Sequence, residues 1–268
     1  MSVIDSTSSV DCGNQWYIDG GRVAASQIPG WVVSGYGHST AMQVRSRGVR
    51  GLAMHIERLV EGDRRLFGLV DDGRVRKIVL ALVNAVEDAT LQLWSLCTDQ
   101  DAVALVACVS QPRSPRAGDV TLQTAVYTRP LSEMKHTDTF AKRVLTHEAI
   151  RRGFDGVALM TDGCVTETAT ANICLVEAKS IVWPTGPQLR GITMKLLRAS
   201  AASSGVETLD QQVSVDRLVD ADSAFIVNSR GISAIHSIDG RSLRVDYRAR
   251  SIVSHLWQRI EFERTESK

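Results

Sequence analysis

A chain of 268 residues, 44% hydrophobic and 23% charged, can bury a sizeable core and is long enough for two domains. Lys+Arg total 31 against Asp+Glu 30, so the net charge of +1 gives no electrostatic case for a nucleic-acid or anionic-membrane partner. The five cysteines are an odd number and widely spaced, with no C-x-x-C pair; this fits free thiols in a reducing compartment, not a disulfide framework or zinc site. The polar start MSVIDSTSSVDCGNQW has no signal-peptide pattern, and no apolar run is long enough to span a membrane, so a cytoplasmic chain is expected.

Residues 1–14 read as a loose Ser-rich tail. Trp16–Val23 reads as a hairpin around Asp19-Gly20-Gly21, residues that tolerate positive φ. A second hairpin runs through Ala41–Arg45, a turn at Gly48, and a strand over Val49–Met54. Helical spacing of apolar residues predicts helices over 55–67 and 74–89. Strands follow at Thr90–Trp94 and Val103–Val109, making an α+β layer domain over 15–111. Gln111-Pro112-Arg113-Ser114-Pro115-Arg116-Ala117-Gly118 is the strongest linker signal, with 112–118 dividing the chain. The larger domain, 119–268, begins with a strand at Val120–Tyr127 and a helix over Thr139–Arg152. Short strands follow at Val157–Met160, Cys164–Glu167, Asn172–Glu177 and Ser180–Trp183, then helices at Thr193–Ser203 and Val215–Val219. Strands at Ser223–Asn228 and Ser233–Ile238 complete the reading. The fold class is α/β, more closely α+β, in two domains.

Lysine is scarce: six residues against 25 arginines. Lys77, Lys142 and Lys195 read as solvated helix-face residues, Lys179 as a turn residue and Lys268 as the terminus. Lys135, in Ser132-Glu133-Met134-Lys135-His136-Thr137-Asp138-Thr139-Phe140, is different. It reads as lying at the carboxyl end of a strand just ahead of a helix, where ligands of α/β proteins collect. An amine placed there and partly desolvated can lose its proton and act as a nucleophile.

The surrounding motifs raise this reading. Lys135-His136, then Gly153-Phe154-Asp155-Gly156-Val157-Ala158-Leu159, then Gly163-Cys164-Val165-Thr166-Glu167 and Ala171-Asn172-Ile173 resemble class IV aminotransferases. The resemblance spans roughly residues 35–240 and is strongest over 135–193. It implies the two-domain fold type IV of pyridoxal-phosphate enzymes, a homodimer, and pyridoxal 5′-phosphate as cofactor. It also implies that Lys135 holds the cofactor as a Schiff base and moves the substrate's α-proton, and that Glu167 bonds the pyridine nitrogen. A carboxylate there keeps the ring able to accept electrons. The phosphate falls by resemblance to Arg58, in His55-Ile56-Glu57-Arg58-Leu59, to Ile192 and Thr193 at a helix start, and to Asn228 and Ser229.

Substrate-side residues depart from the family pattern. His136-Thr137-Asp138-Thr139-Phe140 lacks the usual Tyr, Gln43 stands where Arg or Lys is common, and Ala234-Ile235 replaces Pro-Val. Candidates for the substrate pocket are Tyr36, His38, Thr40, Arg45, Tyr127 and Arg230, with Arg47 a further option for a carboxylate. The activity implied is amino transfer between an amino acid and a 2-keto acid. The alternative is 4-amino-4-deoxychorismate lyase chemistry, which uses the same lysine and glutamate. A catalytically inactive family member is a second alternative, and retention of Lys135, Glu167 and Arg58 argues against it.

Overall fold

The computed structural model describes residues 15–24, 30–33, 35–68, 71–100 and 102–264; the expected tail at 1–14 lies outside them. Strands β1 (Gln15–Ile18) and β2 (Gly21–Val23) form the expected hairpin, with Asp19 and Gly20 at φ 49° and 86° in its turn. The long strand β3 (Gly37–Arg45) turns through Ser46 and Arg47 into β4, which is only Gly48–Val49. The strand expected through Met54 is cut short because helix α1 (Leu52–Phe67) starts after Gly51, at φ 72°. Leu52 already belongs to the helical stripe Leu52, Ile56, Leu59 and Val60, all buried.

Helix α2 (Asp72–Asn84) is capped by Asp71, whose side chain accepts from the Arg74 amide at 2.8 Å. It ends before Ala89, which instead opens β5 (Ala89–Cys97). With β6 (Val103–Ser110), β5 and β3 form the centre of the first sheet. Helices α1 and α2 cover one face of it over a core including Met42, Leu59, Val79, Leu91 and Leu93.

The second sheet starts with β7 (Val120–Val126), crosses through α3 (Phe140–Arg151), and returns parallel as β8 (Gly156–Thr161). The crossover helix is what a parallel pair requires. Strands β9 (Cys164–Thr168), β10 (Asn172–Glu177) and β11 (Ser180–Pro184) follow antiparallel, the first turn using Asp162 and Gly163 at positive φ. After α4 (Ile192–Ser203), β12 (Thr208–Gln211) and α5 (Val215–Asp220) come β13 (Ser223–Asn228), β14 (Gly231–Ile238) and the short β15 (Arg241–Ser242). The strand order is β12-β11-β10-β13-β14-β7-β8-β9, and β9 also meets β10, which curls the sheet onto itself. One core fills its concave side with Ile173, Leu175, Ala224 and Ile235; another packs Trp183, Phe225 and Leu197 beneath α4 and a last helix, α6 (Tyr247–Gln258).

Helix α6 was not among the sequence expectations, although its signals are in the chain. Asp246 caps it by accepting from the Arg248 and Ala249 amides, and Ala249, Val253 and Leu256 are buried at helical spacing. Beyond it, β16 (Glu263–Arg264) pairs with β4 and so belongs to the first sheet. Arg50 is held between Trp257 and Phe262, 4.2 Å from each ring centroid, and donates to the Ile260 carbonyl at 2.7 Å. Among the described residues, no helix is long and apolar enough to cross a membrane.

Close approach between α1 and β3 depends on Gly62. A Cβ there would collide with the ring of His38, which is buried. Gly62→Ala therefore lowers stability by about 1–3 kcal/mol, the usual cost of overpacking, as read from the urea midpoint at unchanged m-value.

Candidate active site

Lys135 is not at a strand end. Strand β7 stops at Val126, and residues 127–139 form a loop before α3. What positions the lysine is the edge of β3. Because β4 reaches only Val44 and Arg45, the front half of β3 has a free edge, and the lysine segment takes it. His136 bridges His38, the Ser39 amide donates to the Lys135 carbonyl at 2.8 Å, and the Thr137 amide donates to the Gly37 carbonyl at 2.9 Å. These bonds fix the Lys135 backbone while its side chain enters a cavity of about 210 Å³ between the two sheets.

Glu167 reaches the same cavity from β9 and is 5% exposed. Leu159 pairs with Glu167 but Met160 pairs with Val165, so Thr166 is an extra residue in the ladder. Such a bulge re-aims the next side chain, here Glu167. One Glu167 oxygen accepts from Arg129 Nε at 3.1 Å and the other from the Leu189 amide at 3.1 Å. Arg129 is itself buried, and its remaining nitrogens donate to the Met134 and Ser132 carbonyls. It thus ties the glutamate to the loop that carries the lysine.

Arg58 projects into the cavity from α1 and donates to the Arg190 carbonyl at 3.2 Å. Ile192 and Thr193 line it as the first residues of α4, whose opening amides have no intrahelical acceptor. The approach of α4 to β10 is close: the Gly191 amide donates to Asn172 Oδ1 at 3.2 Å, and a Cβ on Gly191 would collide with that oxygen. Asn228 and Ser229 complete this wall, where the Asn228 side chain accepts from the Arg230 amide at 2.9 Å. Cations therefore outnumber the single carboxylate. Burial pushes the Lys135 ammonium down to about 8, helped by Lys142, Arg58 and Arg129 and opposed by Glu167. Burial likewise lowers Arg58 to about 10, against Glu61.

The structure thus brings Lys135, Arg58, Glu167, Ile192, Thr193, Asn228, Ser229 and Arg230 around one cavity. Other expected pocket residues lie elsewhere. His38 and Thr40 are on the face of β3 against α1, bonded to Asp63 at 2.9 Å and His55 at 2.6 Å. Strand alternation gives the cavity their neighbours Ala41 and Gln43 instead. Tyr36 is 52% exposed and bonds the Leu66 carbonyl; Tyr127 packs on the apolar cluster of Ala149, Val157 and Leu159. Arg47 sits in the β3–β4 turn, and Arg45 lines a smaller adjoining pocket, bonded to the carbonyls of Val44 and Arg113. Among the cavity residues that escape the sequence reading are Arg129, Lys142, Arg113 of the linker, and His55. Of these only His55 had a signal, three residues before Arg58 in the same motif.

Two outcomes follow from these burials. His55 is buried, and desolvation, then Arg58, then Lys135, lower its pKa from 6.5 to about 3. The unfolded chain therefore binds a proton there that the folded one refuses, so the His55 contribution is complete above pH 6.5 and is lost as pH falls toward 3. His55→Gln should flatten the loss of stability between pH 7.5 and pH 5 seen by urea denaturation. Arg129→Met strands the Glu167 charge in the interior and costs about 3–5 kcal/mol, much of it restored when Glu167→Gln is added.

The model of the class IV amino-transferase family matches residues 37–238. In sequence the chain matches no curated protein. In structure it is similar to the pyridoxal-phosphate-bound form of a hypothetical aminotransferase from Mycobacterium tuberculosis, with TM-score 0.80 at 20% identity over 92% of this chain and 98% of that one. It is also similar to a branched-chain aminotransferase from Thermoproteus uzoniensis, solved with norvaline, at TM-score 0.78 and 22% identity over 90% and 93% of the two chains. A 4-amino-4-deoxychorismate lyase from Pseudomonas aeruginosa gives TM-score 0.77 and 22% identity over 92% and 100%. The solved structures share its fold, and the family match over most of its length shows that the chain belongs to the class IV aminotransferases, pyridoxal-phosphate enzymes of fold type IV.

Proposed function

We propose that this chain is an aminotransferase that moves an amino group between an amino acid and a 2-keto acid, with Lys135 as its catalytic residue. One observation carries the reading. A buried carboxylate and a lysine whose proton is loosened by its surroundings share a cavity with an arginine and a helix N-terminus fit for phosphate. That donor set fits pyridoxal phosphate, which when bound supplies an aldehyde for Lys135 and a ring that takes up the electron pair released at the substrate carbon.

Each residue has a defined task in this reading. Arg58, the Ile192 and Thr193 amides and Ser229 hold the phosphate by charge-assisted and backbone hydrogen bonds. Asn228 shapes the turn that presents Ser229. Glu167, kept in place by Arg129 and the Leu189 amide, sets its negative charge toward the ring nitrogen. Lys135 Nζ carries the proton at the reacting carbon, a role that suits an amine near pKa 8. Lyase chemistry is the second reading, favoured by the surplus of cations: Arg113, Arg230 and Lys142 suit a substrate with more than one carboxylate.

We also propose a homodimer. Val126, Leu131, Phe140 and Val144 are exposed apolar side chains flanking the Lys135 loop. The described cysteines are unpaired, which supports a reducing, cytoplasmic setting.

The test is the absorption spectrum of the protein with pyridoxal phosphate, before and after a panel of D- and L-amino acids. A visible band that one amino acid converts supports amino transfer, and a band that no amino acid changes moves the lyase ahead. No band at all sinks the reading. Lys135→Ala should lack the band, and Glu167→Gln should keep it while losing most turnover. Arg58→Ala should release the cofactor more readily.

A further inference from the structure

The charge of Lys142 in this cavity has no counterpart among the described residues. Lys142 lies on α3 and would be taken from sequence for a solvated residue, as Lys77 and Lys195 are in fact exposed. It is instead half-buried and lines the cavity beside Lys135, His136, Arg129 and Glu167. Among the described residues its ammonium makes no hydrogen bond or ion pair. Among the described residues Glu167 is the only carboxylate on the cavity wall, and it is already engaged by Arg129 and the Leu189 amide. A desolvated ammonium without an acceptor is costly, so a ligand that brings an anionic oxygen would be held there.

The place of that oxygen is bounded by the other cations. Arg58 and the start of α4 line one part of the cavity. Burial, then Arg129, push the Lys142 ammonium down, while Glu167 and Asp138 support it. Lys142 thus shares the glutamate end of the cavity with Arg129 and Glu167.

We propose that Lys142 is a ligand-binding residue, its ammonium donating to an anionic oxygen at the Glu167 end of the cavity. This rests on the cofactor reading above. Two ligand groups present such an oxygen: the hydroxyl on the cofactor ring and a carboxylate of the substrate.

The experiment uses the full chain as wild type, Lys142→Met and Lys142→Arg, titrated with pyridoxal phosphate and then with glutarate, an unreactive dicarboxylate. If the ring oxygen is the partner, Lys142→Met shifts the band and its pH midpoint, or weakens cofactor binding about tenfold, before any carboxylate is added. If the partner is the substrate carboxylate, the cofactor band and affinity stay as in wild type. Glutarate then perturbs the band only at about tenfold higher concentration. Lys142→Arg, which keeps the charge, restores most of either loss; an effect that it does not restore marks a packing role and overturns the proposal. A wild-type band with Lys142→Met unchanged in cofactor and glutarate binding overturns it alone. A wild type with no band overturns the cofactor reading and this inference together.

Discussion

The pairing of the Lys135 segment with β3 is the constraint on which the site depends. Lys135 and Thr137, in a loop from one sheet, are hydrogen-bonded on either side of His136 to the free front edge of a strand in the other. A long side chain such as lysine has many rotamers, and aiming it requires that at least its backbone be fixed. The sheet edge does this with main-chain bonds, which are insensitive to side-chain identity. It also leaves the two halves of the molecule joined at the point where the cavity opens, so the wall that holds Arg58 and the wall that holds Glu167 keep a fixed relation to the lysine.

Arg129 adds the second fastening. Its guanidinium binds Glu167 on one side and two carbonyls of the lysine loop on the other, so one buried cation orients both groups that flank the reacting space. Few charges are buried this deeply without full hydrogen bonding, and the cluster satisfies that condition. The remaining charges of the cavity wall are cationic, which suits an anionic cofactor. They also bear on Lys135, since burial and neighbouring positive charge both loosen its proton.

Much of this was legible in the sequence because it rests on local rules. The Asp19-Gly20 and Asp162-Gly163 turns, the stripes of α1 and α4, and the motif around Glu167 are short-range features. Helix α6 was equally legible, with Asp246 as its cap. What the sequence withheld depends on long-range placement. Nothing near Arg129 announces a partner 38 residues away. Lys142 and Lys77 sit in similar amphipathic patterns, and only the position of α3 over the cavity separates them. In β3 both faces carry polar residues, so one step in parity decides whether His38 and Thr40 or Ala41 and Gln43 face the cavity. That parity is set by which face α1 covers, a fact of packing.

The return of β16 to the first sheet has a consequence for assembly. Arg50 bonds to a carbonyl 210 residues downstream, and β4 finds its outer neighbour in the same stretch. A nascent chain leaving the ribosome can form the α1–α2 layer early, yet that layer lacks its edge strand until the segment after α6 has been made. Closure of such a long loop is slow relative to local helix formation. The half-finished first sheet must therefore wait with β4 uncovered, and it is sealed only when the segment following α6 pairs with it.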